Sequence, residues 1–159
     1  MKKLTALLVT LLVLCFTASA FAAVDDGITL TGCTKANAQA VRVCTIAWAN
    51  DTGTDLGPTE IAIPAGTIIR VDFIPDATNE PTPNHDIYIY ESATAVKAAD
   101  LVGGIGVNLS ATVTTSKVPD LGDSAGGIYQ TGTIYPFIDQ VTNANDDEGT
   151  IIIYIYIGN

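Results

Sequence analysis

The alternation of apolar and polar positions along this chain has the two-residue period of β-strands almost throughout. One tetrapeptide, Ile-Tyr-Ile-Tyr, occurs twice, at residues 87–90 and again at 153–156. Neighbouring side chains on a strand point to opposite faces, so each copy places its isoleucines on one face and its tyrosines on the other. The isoleucines call for a core. The tyrosines Tyr88, Tyr90, Tyr154 and Tyr156, with Ile152 beside them, form a candidate interaction face if the two strands lie in one sheet, because exposed rings can pack against another subunit or stack on sugars.

Other segments repeat the pattern. Residues 28–33 and 40–48 read as a hairpin, and its second arm alternates Val41, Val43, Thr45 and Ala47 against Arg42, Cys44, Ile46 and Trp48. Residues 60–66 predict a short strand, and 67–74 a strong one with Ile69, Val71 and Phe73 on one face and Ile68, Arg70, Asp72 and Ile74 on the other. The proline-rich stretch 75–83 cannot sit inside a hydrogen-bonded ladder, since proline has no amide hydrogen to donate. Residues 93–102 are the one stretch that suits a short helical turn. Residues 105–115, 128–138 and 150–157 read as further strands, with Gly132 and Pro136 signalling a bulge or an edge in the second of these. The last, apolar on both faces, belongs at the centre of a sheet or under a cap. Roughly eight strands separated by turn residues predict an all-β fold, an antiparallel β-sandwich of jelly-roll type.

The first residues stand outside that pattern. Lys2 and Lys3 precede an apolar run too short to span a bilayer comfortably, and small residues follow, which predicts a secretory signal peptide over residues 1–22. Residues 23–159 then form a single domain. Losing Lys2 and Lys3 takes the formal net charge from −10 to −12. A chain this acidic repels nucleic acid and anionic lipid, and no later segment has the length to insert in a membrane. The expected location is extracellular or periplasmic, in a bacterium. In such an oxidising compartment Cys33 and Cys44 predict a disulfide between the two hairpin arms.

Chemistry-bearing groups are sparse. His85, the only histidine, stands beside Asp86, but a lone histidine after a proline-rich turn reads as a structural residue, and there is no nucleophile motif to accompany it. No enzymatic activity and no cofactor is expected. Asn143, Asn145, Asp146, Asp147 and Glu148 supply oxygen ligands that would suit calcium, although the same residue types simply favour turns. Gly103, Gly104 and Gly106 lack the following helix that a phosphate loop requires; they read as glycines that permit positive φ or close backbone approach.

Several runs carry a resemblance. They are Trp48 with Asn50-Asp51-Thr52-Gly53, Arg70-Val71, Ile74-Pro75, Pro81-Thr82-Pro83-Asn84-His85-Asp86-Ile87, Gly103-Gly104-Ile105-Gly106-Val107-Asn108-Leu109-Ser110-Ala111-Thr112, and Gly149-Thr150-Ile151-Ile152-Ile153-Tyr154. Over residues 41–157 the chain resembles a family of small β-rich proteins encoded among the structural genes of tailed bacteriophages and prophages. The resemblance implies a β fold and a structural role, and brings no catalytic residues with it. This chain differs from that family's pattern at His85, where an aromatic residue is usual, in its cysteine pair and in its export signal. The function expected is that of an exported structural or assembly protein that meets copies of itself or another surface protein. The alternative is an extracellular carbohydrate- or calcium-dependent binding module that uses Tyr88, Tyr90 and the acidic turn.

Overall fold

The computed structural model describes residues 27–36, 40–94, 100–119, 127–139 and 147–158. Residues 1–22, expected to be a signal peptide, lie outside the described residues, as do Asn143, Asn145 and Asp146 of the acidic turn. Nine strands are present among the described residues: β1 (Gly27–Lys35), β2 (Val41–Asn50), β3 (Ile61–Ala62), β4 (Gly66–Pro75), β5 (Asp86–Tyr90), β6 (Thr115–Lys117), β7 (Ile128–Gln130), β8 (Thr133–Asp139) and β9 (Asp147–Tyr156). All pair antiparallel. The larger sheet runs β1-β2-β9-β4-β6, with β7 also paired to β4; the smaller runs β3-β8-β5. The all-β, sandwich-like class expected from the alternation is therefore what the chain adopts.

The two sheets close on one aliphatic core. From the larger sheet, Ile46, Trp48, Ile68, Val71, Phe73, Ile151, Ile153 and Ile155 are all at most 2 % exposed, and from the smaller, Ile87, Ile89, Ile134 and Ile138 are at most 1 %. Both isoleucine pairs of the repeated tetrapeptide thus face inward. β9 does lie at the centre of its sheet, between β2 and β4, so its doubly apolar surface presents no open edge. Burial of an Ile-sized side chain contributes about 1.5–3 kcal/mol, which makes these rows the main source of cohesion.

The register departs from strict alternation in β4. Ile68 pairs with Ile155 and Arg70 with Tyr154, which leaves Ile69 as the extra residue of a bulge, 37 % exposed. The bulge shifts the phase, so Ile68 and Val71 both reach the core and the expected inward position of Ile69 is lost. The hairpin expectation holds: Cys33 and Cys44 are cross-strand partners in β1 and β2 and form a disulfide. It ties the outermost strand of the larger sheet to its neighbour.

Two expected strands are built differently. Residues 105–115 do not form one strand; a series of turns and bends runs from residue 101 to 108, Leu109 makes a single antiparallel bridge with His85, and strand pairing resumes at Thr115, the first residue of β6. The stretch read as one strand over 128–138 is two, β7 in the larger sheet and β8 in the smaller, divided at Thr131 and Gly132, where Gly132 has a φ of +113°. In the stretch expected to hold a helical turn, residues 95–99 are outside the described set, and residues 93–94 and 101–102 form turns.

Candidate functional site

The two tyrosine pairs do not share a face. Tyr88 and Tyr90 belong to β5 of the smaller sheet, Tyr154 and Tyr156 to β9 of the larger one. Local periodicity gave each pair its side of a strand, but sheet membership depends on pairing between segments far apart in sequence, so the expectation of a single four-tyrosine surface is corrected here.

On β5, Tyr88 and Tyr90 stack at 5.9 Å between ring centroids, and Phe137 of the neighbouring β8 packs 6.4 and 6.2 Å from them. Both tyrosines are buried, at 7 % and 3 % exposure. The Tyr88 hydroxyl donates to Asp86 Oδ2 at 3.0 Å. Burial and this hydrogen bond to a carboxylate push its pKa up to about 12. A ring pair covered in this way is cross-strand packing and offers no open platform to a sugar.

On β9 the tyrosines look outward. The pairing register sets Val41, Tyr156, Thr67 and Tyr129 in one row across β2, β9, β4 and β7. The next row holds Val43, Tyr154 and Arg70, and a third holds Thr45, Ile152, Asp72 and Ser116. Tyr129 is 66 % exposed and Tyr156 48 %, with Ile69 and Ile157 also exposed. At the centre of this apolar face sits one ion pair. Arg70 Nε donates to Asp72 Oδ1 at 2.7 Å and Nη2 to Oδ2 at 2.9 Å, a bidentate fork, while the Tyr154 hydroxyl donates to the same Oδ2 at 3.1 Å. The guanidinium carbon lies 5.0 Å from the Tyr154 ring centroid. Burial works to raise the Asp72 pKa, but hydrogen bonds from Arg70, Ser116 and Tyr154 outweigh it and hold the group below its ordinary value.

The acidic segment does not gather its carboxylates. Asp147 and Glu148 are consecutive residues of β9 and so point to opposite sides of the sheet. Asp147 is fully buried; its Oδ2 accepts from the Thr82 hydroxyl at 2.8 Å, and its Oδ1 has no hydrogen-bond partner. Glu148 Oε1 instead accepts from Asn79 Nδ2 at 2.9 Å. Of the five residues expected to suit calcium, the two described ones are thus placed apart, and among the described residues no group of three or more His, Cys, Asp or Glu side chains is arranged to hold a metal ion.

His85 is a buried structural residue. Its Nδ1 donates to the Thr82 carbonyl at 2.9 Å, and its ring lies 5.7 Å from that of Trp48. Burial depresses its pKa, against the opposing influence of the Thr82 carbonyl and the Asp147 and Asp86 carboxylates.

The two most specific runs of the sequence, residues 81–86 and 104–112, meet in space. Asn84 N–H donates to the Leu109 carbonyl at 3.0 Å, Leu109 N–H to the His85 carbonyl at 2.9 Å, and Ile87 N–H to the Gly106 carbonyl at 2.7 Å. Asn108 N–H donates to Asp86 Oδ1 at 2.8 Å. Gly106 is required here, because a Cβ would lie 2.1 Å from the Ile87 carbonyl oxygen. Asp100 completes the seal along β5: its carboxylate accepts from the N–H groups of Ile89 at 2.8 Å, Val102 at 3.3 Å and Gly104 at 2.7 Å. Asp100 belongs to no motif of the sequence, and the only local signal for it is an acid three residues ahead of the glycine pair Gly103-Gly104, a pattern that suits a capped turn.

Comparison with family models, with curated proteins and with solved structures finds no match.

Proposed function

We propose that this protein is an exported, non-enzymatic β-sandwich with a structural or assembly role at the cell exterior or in the periplasm, descended from the phage structural type that its sequence resembles. Its working surface is the outer face of the larger sheet, and the occupant of that face is a second copy of the chain. The observation that carries this reading is the outward row Val41–Tyr156–Thr67–Tyr129, in which Tyr156 and Tyr129 are exposed, with Val43, Tyr154 and Ile152 in the two rows beside it.

Size and charge support a copy of the chain as the partner. The four long strands of this sheet, β1, β2, β9 and β4, have nine or ten residues each, and at about 4.8 Å between strands and roughly 3.4 Å per residue they span a face of about 19 by 32 Å. That plane, roughly 600 Å² before the relief of its side chains is counted, is of the same order as the roughly 800 Å² of accessible surface each partner contributes to a stable interface. The chain as a whole is strongly acidic, which would keep copies apart, but this face carries at its centre an ion pair that is already neutralised within one chain. Copies can therefore meet here without stacking like charges. The burial and hydrogen bonding of His85, the only histidine, support a role without acid–base catalysis.

Sedimentation and light scattering of residues 23–159 test the reading. The expected result is a mass that rises with concentration and returns to that of a monomer in a Val43→Lys, Tyr156→Lys double variant whose melting temperature is unchanged. A wild-type chain that stays monomeric at high concentration overturns it.

A further inference from the structure

We infer that the free edge of β1 is a second self-association surface, on which β1 of another copy adds antiparallel about a two-fold axis and extends the larger sheet from one copy into the next. This inference rests on the face-to-face reading above: a lone two-stranded pairing is marginal in water, so the edge links copies that the outer face has already gathered.

Among the described residues, β1 is the one long strand with an open edge. It is hydrogen-bonded to β2 on one side, and no other described segment pairs with it. The other edges are short or closed. β3 has two residues, β4 is covered by β6 and β7, and β5 is sealed by Asp100 and by the Gly106 carbonyl. Thr29, Thr31, Thr34 and Lys35 are exposed along β1. An open row of backbone donors and acceptors is a template for another strand. The Cys33–Cys44 cross-link already holds β1 to its sheet, so little order has to be gained on pairing.

The sequence of this edge is complementary to itself, which selects a second copy as the occupant. Residues 27–34 carry no charge, Lys35 follows them, and Asp25 and Asp26 precede them. Pairing with β2 puts Thr29, Gly32 and Thr34 on the outer side of the sheet, opposite Ala47, Thr45 and Val43. Ile28, Leu30 and Cys33 lie on the core side, opposite Trp48, Ile46 and Cys44. A two-fold axis normal to the sheet preserves these sides, so the paired residues must match side for side. The register that does so sets Gly27 against Thr34, Ile28 against Cys33 and Thr29 against Gly32 of the other copy. Thr31, the extra residue of a bulge between Leu30 and Gly32, then falls beside the axis, where it interrupts the new ladder only at its centre. Continued by one residue, the same register brings Lys35 opposite Asp26 of the other copy, at both ends by symmetry. Opposite charges across a ladder favour pairing, whereas an in-register parallel alignment would set Lys35 beside Lys35.

The test is sedimentation of residues 23–159 and of three variants: Lys35→Glu, Asp26→Lys and the two combined. The expected wild-type result at high concentration is species heavier than a dimer. Each single variant should need roughly tenfold more protein to pass the dimer, as for a charge pair reversed at two symmetric places, and the combined variant should return to wild-type behaviour. Asp26→Lys separates this contact from a general charge effect, because it makes the chain less acidic and by that alone would strengthen association. Hydrogen exchange gives a second readout: amides of residues 27–34 should slow as concentration rises. Four results overturn the inference: a wild type that stops at the dimer, single variants that assemble like wild type, a combined variant as weak as the single ones, or β1 amides indifferent to concentration. A dimer that stops there and dissolves in the Val43→Lys, Tyr156→Lys variant removes the edge and keeps the face. Association abolished by Asp26→Lys and untouched by that face variant keeps the edge and removes the face.

Discussion

The indole of Trp48 lies directly on the bare backbone of Gly149, its cross-strand partner. A Cβ at residue 149 would sit 2.7 Å from the indole Nε1 and 2.8 Å from Cε2 and Cζ2. Trp48 is 1 % exposed and anchors the end of the core where His85 also packs. Gly149→Ala therefore forces a shift of the largest ring in the core or of the central strand. Overpacking of this kind costs about 1–3 kcal/mol, and denaturant unfolding followed by Trp48 fluorescence should show a loss of that size with an unchanged m-value.

Asp100 is the acceptor that closes the free edge of β5. Asp100→Ala leaves the N–H groups of Ile89, Val102 and Gly104 without the carboxylate, and a loss of about 2–3 kcal/mol is expected in urea unfolding. Asp100→Asn keeps one oxygen acceptor and should lose less. Hydrogen exchange at Ile89 should accelerate in the alanine variant and leave the amides of β9 unaffected.

Stability should fall as pH falls through the ordinary histidine range. Burial lowers the folded-state pKa of His85, so the unfolded chain binds a proton that the folded one does not. The full contribution is present above about pH 6.5 and drains away below it, at a slope of up to about 1.4 kcal/mol per pH unit until the folded-state value is passed. His85→Phe should flatten this part of the profile. The acid loss that remains at lower pH includes that of Asp72, whose depressed pKa gives stability above about pH 3.8 that disappears as the carboxylate is protonated.

Reduction of Cys33–Cys44 removes the cross-link between β1 and β2 and should cost roughly 2–3 kcal/mol by loop-closure entropy. Amides of β1 should lose protection first, because among the described residues β1 has a strand neighbour on one side only. Cysteine-to-alanine replacement of both residues should reproduce the reduced behaviour.

The parts of the fold that were legible in the sequence are those written in short-range alternation. The isoleucines of both Ile-Tyr repeats, the inward side of β2 and the cysteine pair could be read because period two assigns a face without knowledge of the partner strand. Three features could not. The bulge at Ile69 changes the phase of β4 through its pairing with β9, and an isoleucine there looks like any core residue. Residues 105–115 are rich in β-branched types, yet Val107 and Val113 are 38 % and 62 % exposed, and the backbone turns at Gly106 and Asn108 serve the edge of β5. The candidate face was half legible. Tyr154, Tyr156 and Ile152 do look outward, but Tyr88 and Tyr90 are carried to the other sheet by the pairing of β5 with β8, a contact between residues about fifty positions apart.

The division of residues 128–139 between two sheets has a mechanical corollary. β7 hydrogen-bonds to β4 in one layer and β8 to β5 in the other, with only Thr131 and Gly132 between them. The Gln130 side chain braces this corner, its amide donating to the Pro64 carbonyl and its oxygen accepting from Gly132 N–H. Tension applied to β7 in one layer is therefore passed to β8 in the other through only two residues of backbone.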